Sequence, residues 1–265
     1  MKNNIDKLSI KEISANIDAI YDADIEVFDE IGSTNDYLKE KAKKGDFSLS
    51  VAIADRQTSG KGRIGRKFYS PENCGIYMSF LLRPELLAEQ SVNITAAAVV
   101  SVCETLEKFG VNDFGIKWVN DIFLDNKKVC GILTEGSINT ETKAFDWVVL
   151  GIGINVYEPE NGFDNEIADI AGYIFKKRKE NLRNLICSEI INRIFYCCNR
   201  LNEKEYLDFY RKNSLVTGKK ITVIKGEEKI PANAVEIDDN FRLIVEYTDG
   251  KKQALNSGEI SIKLQ

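Results

Sequence analysis

The sequence predicts an α+β chain in two parts, and three observations carry the prediction. Up to Asn213, short β-rich runs alternate with longer stretches whose apolar residues recur at helical spacing. From 218 to 264 the helical spacing stops. Short β-rich runs then follow one another between turn signals at Gly226-Glu227, Asp238-Asp239, Asp249-Gly250 and Ser257-Gly258. Five strands at that spacing suit a small barrel. The composition supports both parts: 43 % of the 265 residues are hydrophobic and 29 % charged, ample for a core in one large domain or two smaller ones. The expected division is 1–213 and 214–265.

Each element has a local reason. Ile5 to Ile20 has the apolar spacing of a short helix. "IEVFDEIGSTNDYLKEKAKKGD" reads as strand, turn and helix. Ser33 or Thr34 is the expected N-cap, because a short hydroxyl accepts from the first-turn amides, and Gly45 is the expected stop. "LSVAIAD" and "GIYMSFLLR" read as strands on either side of a glycine-rich loop. Ser91 to Phe109 repeats apolar residues at helical spacing and ends at Gly110. "FGIKWVNDIFLDNKKVCGILTEG" reads as strands with a tight turn at Asp125-Asn126, and "AFDWVVLGIGINV" as a strand ending in glycines. Leu182 to Asn213 is mostly helical. No internal repeat or low-complexity segment interrupts the pattern.

Composition also excludes functions. The formal charge of -5 argues against general affinity for nucleic acid or membrane, which needs a basic face. "MKNNIDKLSI" lacks the apolar core of a signal peptide, and the apolar stretch around Ala96 to Cys103 is too short for a bilayer, so a cytoplasmic protein is expected. Six cysteines (Cys74, Cys103, Cys130, Cys187, Cys197, Cys198) show no C-x-x-C spacing and read as buried thiols. There is no histidine. Ser-His-Asp and Cys-His nucleophiles are therefore excluded, with the usual zinc chemistry. Catalysis must rest on Lys, Arg, carboxylates, backbone donors and a hard ion such as Mg²⁺ held by oxygens.

The segment "SGKGRIGRK", Ser59 to Lys67, packs three glycines and four cations into nine residues of an acidic chain. Its glycines lose much backbone freedom on ordering, and its cations repel, so an anion is the expected ordering partner. Gly60-x-Gly62-x-x-Gly65 formally matches a dinucleotide fingerprint, but a strand follows it rather than a helix. No kinase H-R-D or D-F-G accompanies it, and no Walker Gly-Lys-Ser/Thr is present. What remains is backbone donors interleaved with guanidinium forks that match phosphate or carboxylate oxygens. The plain structural account is a solvated basic hairpin tip. Three other stretches carry similar pairs of readings. "GSTND" is a helix cap, or a row of short polar groups for a small neutral ligand. Lys117 in "IKWVND" snorkels to the surface, or is a partly desolvated cation aimed at an anion. "GIGIN" is tight strand packing, or a ligand approach ending in Asn155.

In this order, the stretches resemble biotin protein ligase. The matching residues are "STN" at Ser33 to Asn35, "DRQTSGKGRIGRKFYSP" at Asp55 to Pro71, "GIYMSFLLRP" at Gly75 to Pro84, "KWVNDI" at Lys117 to Ile122, "KVCGILTE" at Lys128 to Glu135, "GIGINV" at Gly151 to Val156 and "LNSGEISI" at Leu255 to Ile262. The resemblance runs from about Val27 to the C-terminus. It implies a mixed-sheet catalytic domain over 1–213 and an SH3-like barrel over 214–265. It implies ATP-dependent activation of biotin to biotinyl-5′-AMP, then transfer to a lysine of a biotin carboxyl carrier protein, or of the carrier domain of a biotin-dependent carboxylase. ATP and Mg²⁺ are the implied cofactors, with no dedicated side-chain cluster for the metal. No enzyme nucleophile is needed, which suits a chain without histidine.

Carried over by position, Ser33, Thr34, Asn35 and Gln57 match biotin-contacting residues, and Lys61, Gly62 and Arg63 the loop over biotin and acyl phosphate. Lys117 matches the lysine near carboxylate and phosphate; it and Arg63 are the implied catalytic pair. Arg63, Arg66, Phe68, Asn120, Asn155 and Lys263 match the nucleotide side. Lys61 replaces a more usual Arg, and Val119 a more usual Pro. A lipoate or octanoate ligase shares the adenylation chemistry, but the basic loop and K-W-x-N-D do not fit it. Some biotin ligases also repress transcription; the 26 residues before Val27 are too few for a helix-turn-helix domain with its own core, so no operator binding is expected. No membrane or nucleic-acid partner is expected, and monomer or homodimer is compatible. Gly60 to Lys67 is expected to be mobile alone and ordered by ligand.

Overall fold

The computed structural model describes residues 6–46, 48–256 and 259–262. Strands β1 (Asp24–Ile31), β2 (Ser50–Gln57), β3 (Gly75–Leu82), β4 (Phe114–Lys117), β5 (Asp121–Leu124), β6 (Lys127–Ile138) and β7 (Phe145–Asn155) form a seven-stranded sheet in the order β1-β2-β3-β7-β6-β5-β4. β1 and β2 pair in parallel, and every other neighbour is antiparallel, so the sheet is mixed as expected. β3 is an interior strand buried at every position, which explains a run that is apolar but for Ser79.

Helices cover the two faces unequally. Helix α1 (Ile10–Ser14), helix α3 (Ser91–Lys108) and helix α4 (Leu182–Cys198) enclose the main core. Helix α2 (Thr34–Lys43) covers only one end of the opposite face, where Leu38 and Ala42 pack on Ala52, Leu81 and Val149. The other end of that face is left for the site. Helix α5 (Leu207–Lys212) leads into a five-stranded antiparallel sheet of β8 (Lys220–Lys225), β9 (Glu228–Ile237), β10 (Leu243–Tyr247), β11 (Lys252–Leu255) and β12 (Glu259–Ser261), ordered β11-β10-β9-β8-β12. The β-rich part expected after Asn213 is this sheet.

One helical expectation needs correction. The helix expected over Ile5 to Ile20 is only Ile10–Ser14 among the described residues. Beyond it the backbone turns to α4: the Asp18 amide donates to Asn192 Oδ1, and Ile20 is left 81 % exposed. The stretch from Leu182 to Asn213 is mostly helical as expected, in two pieces, α4 and a second helix from Leu207 to Lys212, with a break at 199–206. The break lets Tyr206 stack on Phe241 at 5.1 Å and Tyr210 meet the same ring edge-on at 5.7 Å, an aromatic anchor between the two sheets. The turn expected at Asp125-Asn126 is present with positive φ at both residues, as a tight hairpin requires.

A buried polar node ties the N-terminal segment to the sheet. Arg183, with no exposed surface, donates to the Asp6 carbonyl from Nε (3.1 Å) and Nη2 (2.6 Å), to the Gly75 carbonyl (3.0 Å) and to Asp55 Oδ1. Asp55 also accepts from the Asn73 amide. All six cysteines are unpaired; four are buried and two half-buried. Burial raises every one of these thiols, Cys187 and Cys198 to about 12. Among the described residues, no helix is long and apolar enough to cross a membrane.

Candidate active site

Strand register assembles the floor of the site. Antiparallel partners share a face, so Lys117, Asp121, Gly131, Gly153 and Tyr77 lie in one row across β4, β5, β6, β7 and β3. The next row holds Leu133, Gly151 and Ser79. Three glycines on one face leave a trough over the sheet. A Cβ at Gly151 would stand 2.1 Å from Asn35 Oδ1, and one at Gly153 2.6 Å from the Phe68 ring. Asn35 and Phe68 therefore fill space that any larger residue would occupy. "GIGIN" is both close packing and the floor of the site.

The N-terminal turn of α2 supplies one wall. Ser33 is the N-cap and accepts from the Asp36 amide at 3.4 Å. That role turns Ser33 away from the cavity, while Thr34 and Asn35 line it. The single hydroxyl hydrogen of Thr34 is directed at two acceptors, Ser79 Oγ (2.7 Å) and Gln57 Oε1 (3.1 Å), and Gln57 Oε1 also receives the Thr34 amide (2.9 Å). Ser79 Oγ donates to Asn35 Oδ1 at 2.6 Å, and Asn35 Nδ2 to Glu135 Oε2 at 2.8 Å. This network orients the carboxamides of Asn35 and Gln57, with the Glu135 carboxylate at its Asn35 end.

The glycine-rich segment is a hairpin folded over the trough. Gly62 N donates to the Arg66 carbonyl (2.7 Å), and Phe68 N to that of Gly60 (2.9 Å). Its tip, Ile64-Gly65, has positive φ at both residues, and Ile64 is 72 % exposed. Gly60 is forced to be glycine: a Cβ there would lie 2.4 Å from the Phe68 carbonyl oxygen. Lys61, Gly62, Arg63 and Arg66 of the hairpin line the cavity with Phe68. Arg63 Nη1 donates to Asn120 Oδ1 at 2.8 Å, and Asn120 Nδ2 to the Ile132 carbonyl at 2.8 Å. Lys61, which has no acidic neighbour in sequence, meets Asp36 Oδ1 at 2.5 Å. Burial pushes the Asp36 carboxyl up, but bonds from Lys61 and Lys39 outweigh it and hold it below the usual carboxylate value.

Lys117 and Asn120 line the same cavity, of about 160 Å³. The Lys117 ammonium lies 5.9 Å from the centroid of the Phe123 ring. Val119 follows Trp118 through a cis peptide. Support for this turn comes from the C-terminal half: Trp118 Nε1 donates to the Phe241 carbonyl (2.9 Å), and Tyr210 OH to that of Val119 (3.0 Å). Ile260 of β12 also lines the cavity.

Ten of the residues singled out in sequence thus converge: Thr34, Asn35, Gln57, Lys61, Gly62 and Arg63, with Arg66, Phe68, Lys117 and Asn120. Asn155 stands apart, its amide donating to the Gly172 carbonyl at 2.9 Å. Lys263 lies outside the described residues. Sequence reasoning assigned no role to Ser79, Glu135, Asp36 or the Lys128–Asp121 pair (2.6 Å). Only the alternation of β6 and β3 could have flagged the first two.

Comparison with known proteins bears on this site. Residues 27–155 match the family model described as Biotin/lipoate A/B protein ligase family, and residues 216–263 that of the Biotin protein ligase C terminal domain. The chain is 30 % identical over 236 residues to the bifunctional ligase/repressor BirA of Bacillus subtilis, covering 85 % of this chain and 70 % of that one. It is 27 % identical to the biotin–[acetyl-CoA-carboxylase] ligase of Mycobacterium tuberculosis, over 89 % of this chain and 88 % of the relative. A solved biotin protein ligase from Aquifex aeolicus, in complex with biotin and ATP, superposes with a TM-score of 0.71 at 30 % identity, covering 90 % of this chain and 97 % of that one.

Proposed function

The chain belongs to the biotin protein ligase family, and from that premise we propose that it joins biotin to ATP as biotinyl-5′-AMP and passes the acyl group to a lysine of a biotin carboxyl carrier domain. The observation that carries the reading is the convergence of Arg63, Lys117 and Asn120 with Thr34, Asn35 and Gln57 around one lidded cavity. The match of 216–263 to the model described as the Biotin protein ligase C terminal domain favours biotin over lipoate.

The chemistry asks for two things. In the first step a biotin carboxylate oxygen attacks the α-phosphorus, and the bond to pyrophosphate breaks. Two anions must meet, so fixed cations must offset their repulsion and stabilise the charge that develops. Lys117 and Arg63, both lining the cavity, are the cations for that task. In the second step a neutral amine attacks the acyl carbon, AMP leaves with the bonding pair, and the nitrogen loses a proton. Between steps the anhydride must be kept from water, the task of the hairpin. The neutral network of Thr34, Asn35 and Gln57 suits a ligand end that is polar and uncharged. The described residues offer no group of three or more His, Cys, Asp or Glu for a metal, so Mg²⁺ would travel on the phosphate oxygens of the nucleotide.

The decisive experiment is ATP-dependent transfer of labelled biotin, with lipoate as the competitor, to a carboxylase carrier domain. Absence of transfer to any such domain, with no adenylate formed, would remove the reading. Two variants sharpen it. Arg63→Gly is expected to speed escape of the adenylate by about tenfold to a hundredfold, the worth of one hydrogen bond to a charged group. Escaped anhydride acylates lysines at random, so biotin on a bystander protein is the readout. Gly151→Ala is expected to push Asn35 off Ser79 and weaken biotin binding by about tenfold or more, measured by calorimetry.

A further inference from the structure

The hairpin and α2 are joined by a run of alternating charges. Lys61 Nζ contacts Asp36 Oδ1 at 2.5 Å, Lys39 Nζ contacts the same oxygen at 3.0 Å, and Lys39 Nζ also contacts Glu135 Oε1 at 2.8 Å. Glu135 then accepts from Asn35, whose own oxygen is held by Ser79. From Ser79 the hydrogen bonds run through Thr34 and Gln57 to Ser70 and the Phe68 carbonyl, the far foot of the hairpin. The hairpin is thus held at Lys61 on one strand and near Phe68 on the other, by a circuit that passes through the candidate biotin-contacting side chains.

We propose that Asp36 is a positioning residue, latching the basic hairpin to helix α2 through Lys61 so that closure of the hairpin and the setting of Asn35 are coupled. The alternation makes the latch specific. Two cations and two carboxylates balance, and Asp36 stands between both ammonium groups. Without its charge, Lys61 and Lys39 face each other with only Glu135 to compensate, so the hairpin is repelled rather than merely released. A lysine suits position 61, since a compact ammonium shares one carboxylate oxygen with a second ammonium. What the hairpin retains rests on the ligase reading of the site; the latch itself does not.

The test therefore begins on the full chain with no biotin present. Hydrogen exchange of the amides from Gly60 to Lys67 reports hairpin opening. Asp36→Asn and Lys61→Met are each expected to raise opening by about threefold to fivefold, the range for a partly exposed pair. The double variant should open no more than the more open single one, since both remove one interaction. Asp36→Glu should restore much of the protection, and high salt should open the wild type but not Asp36→Asn. With biotin and ATP, adenylate release should rise by the same factor in Asp36→Asn, with little change in the rate of its formation. Additive effects in the double variant, or wild-type exchange in Asp36→Asn, would overturn the latch. Lys61→Met, on the hairpin rather than the helix, keeps the test open if Asp36→Asn does not fold. A chain that forms no adenylate in any variant would count against the ligase reading alone, with the exchange data still deciding the latch.

Discussion

Lys117→Ala is expected to lower adenylate formation by about 10²–10³-fold, the usual loss when one preorganised donor to developing charge is removed. Register places Lys117 at the end of β4, in line with Asp121 and the glycine floor, and it lines the same cavity as Arg63. A cation fixed there requires no reorganisation as charge accumulates on the reacting phosphate. Affinity for biotin alone should change far less, because the residues assigned to its neutral end lie on α2 and β2. Pyrophosphate release in a single turnover measures the step directly. A variant within a few-fold of wild type would take Lys117 out of the mechanism.

Arg183→Met is expected to cost about 3–5 kcal/mol of stability, measured by urea unfolding. The guanidinium is fully buried and serves Asp6, Asp55 and the Gly75 carbonyl together. Its loss strands carboxyl groups in a dry site. The pH dependence has a definite sign. Burial raises the Asp6 carboxyl in the folded chain, although bonds from Arg183 and Tyr157 oppose it. A raised folded value means the native state binds that proton more tightly. The contribution of Asp6 is then greatest below its unfolded value of 3.8 and is lost as pH rises through the folded one. Without Arg183 the folded value climbs further, so the deficit of the variant should widen toward neutral pH. A deficit that narrows instead would show that Asp6 is not the group left stranded.

Much of the site could be read before any coordinates, and the reason is locality. Arg63, Phe68 and Gly60 sit in one short segment whose glycine and arginine content has few uses, and Lys117 and Asn120 flank a tryptophan within four residues. Chemistry written in one stretch is legible in that stretch. Asp36 was hidden because its meaning depends on Lys61, 25 residues away, meeting it across a fold. Glu135 and Ser79 were hidden because they acquire roles only from register against Asn35. Helix ends failed for a related reason. Apolar spacing from Ile5 to Ile20 is real, but Asn192 captures the backbone at Asp18 and ends any helix early. Between α4 and α5 the chain leaves the helix over 199–206, where Tyr206 stacks on Phe241, a partner that no local spacing reveals.

The sheltering of all six thiols has a practical consequence. Burial raises each of them toward the unreactive protonated form, and four lie inside the fold with Cys197 and Cys198 half-buried, so maleimides should label the native chain slowly. A cysteine introduced as I64C would stand at the exposed tip of the hairpin, far more open than any native thiol, with Cys197 and Cys198 the two to replace for a clean background. A fluorophore or spin label attached there would become a spectroscopic gauge of hairpin position, read in real time.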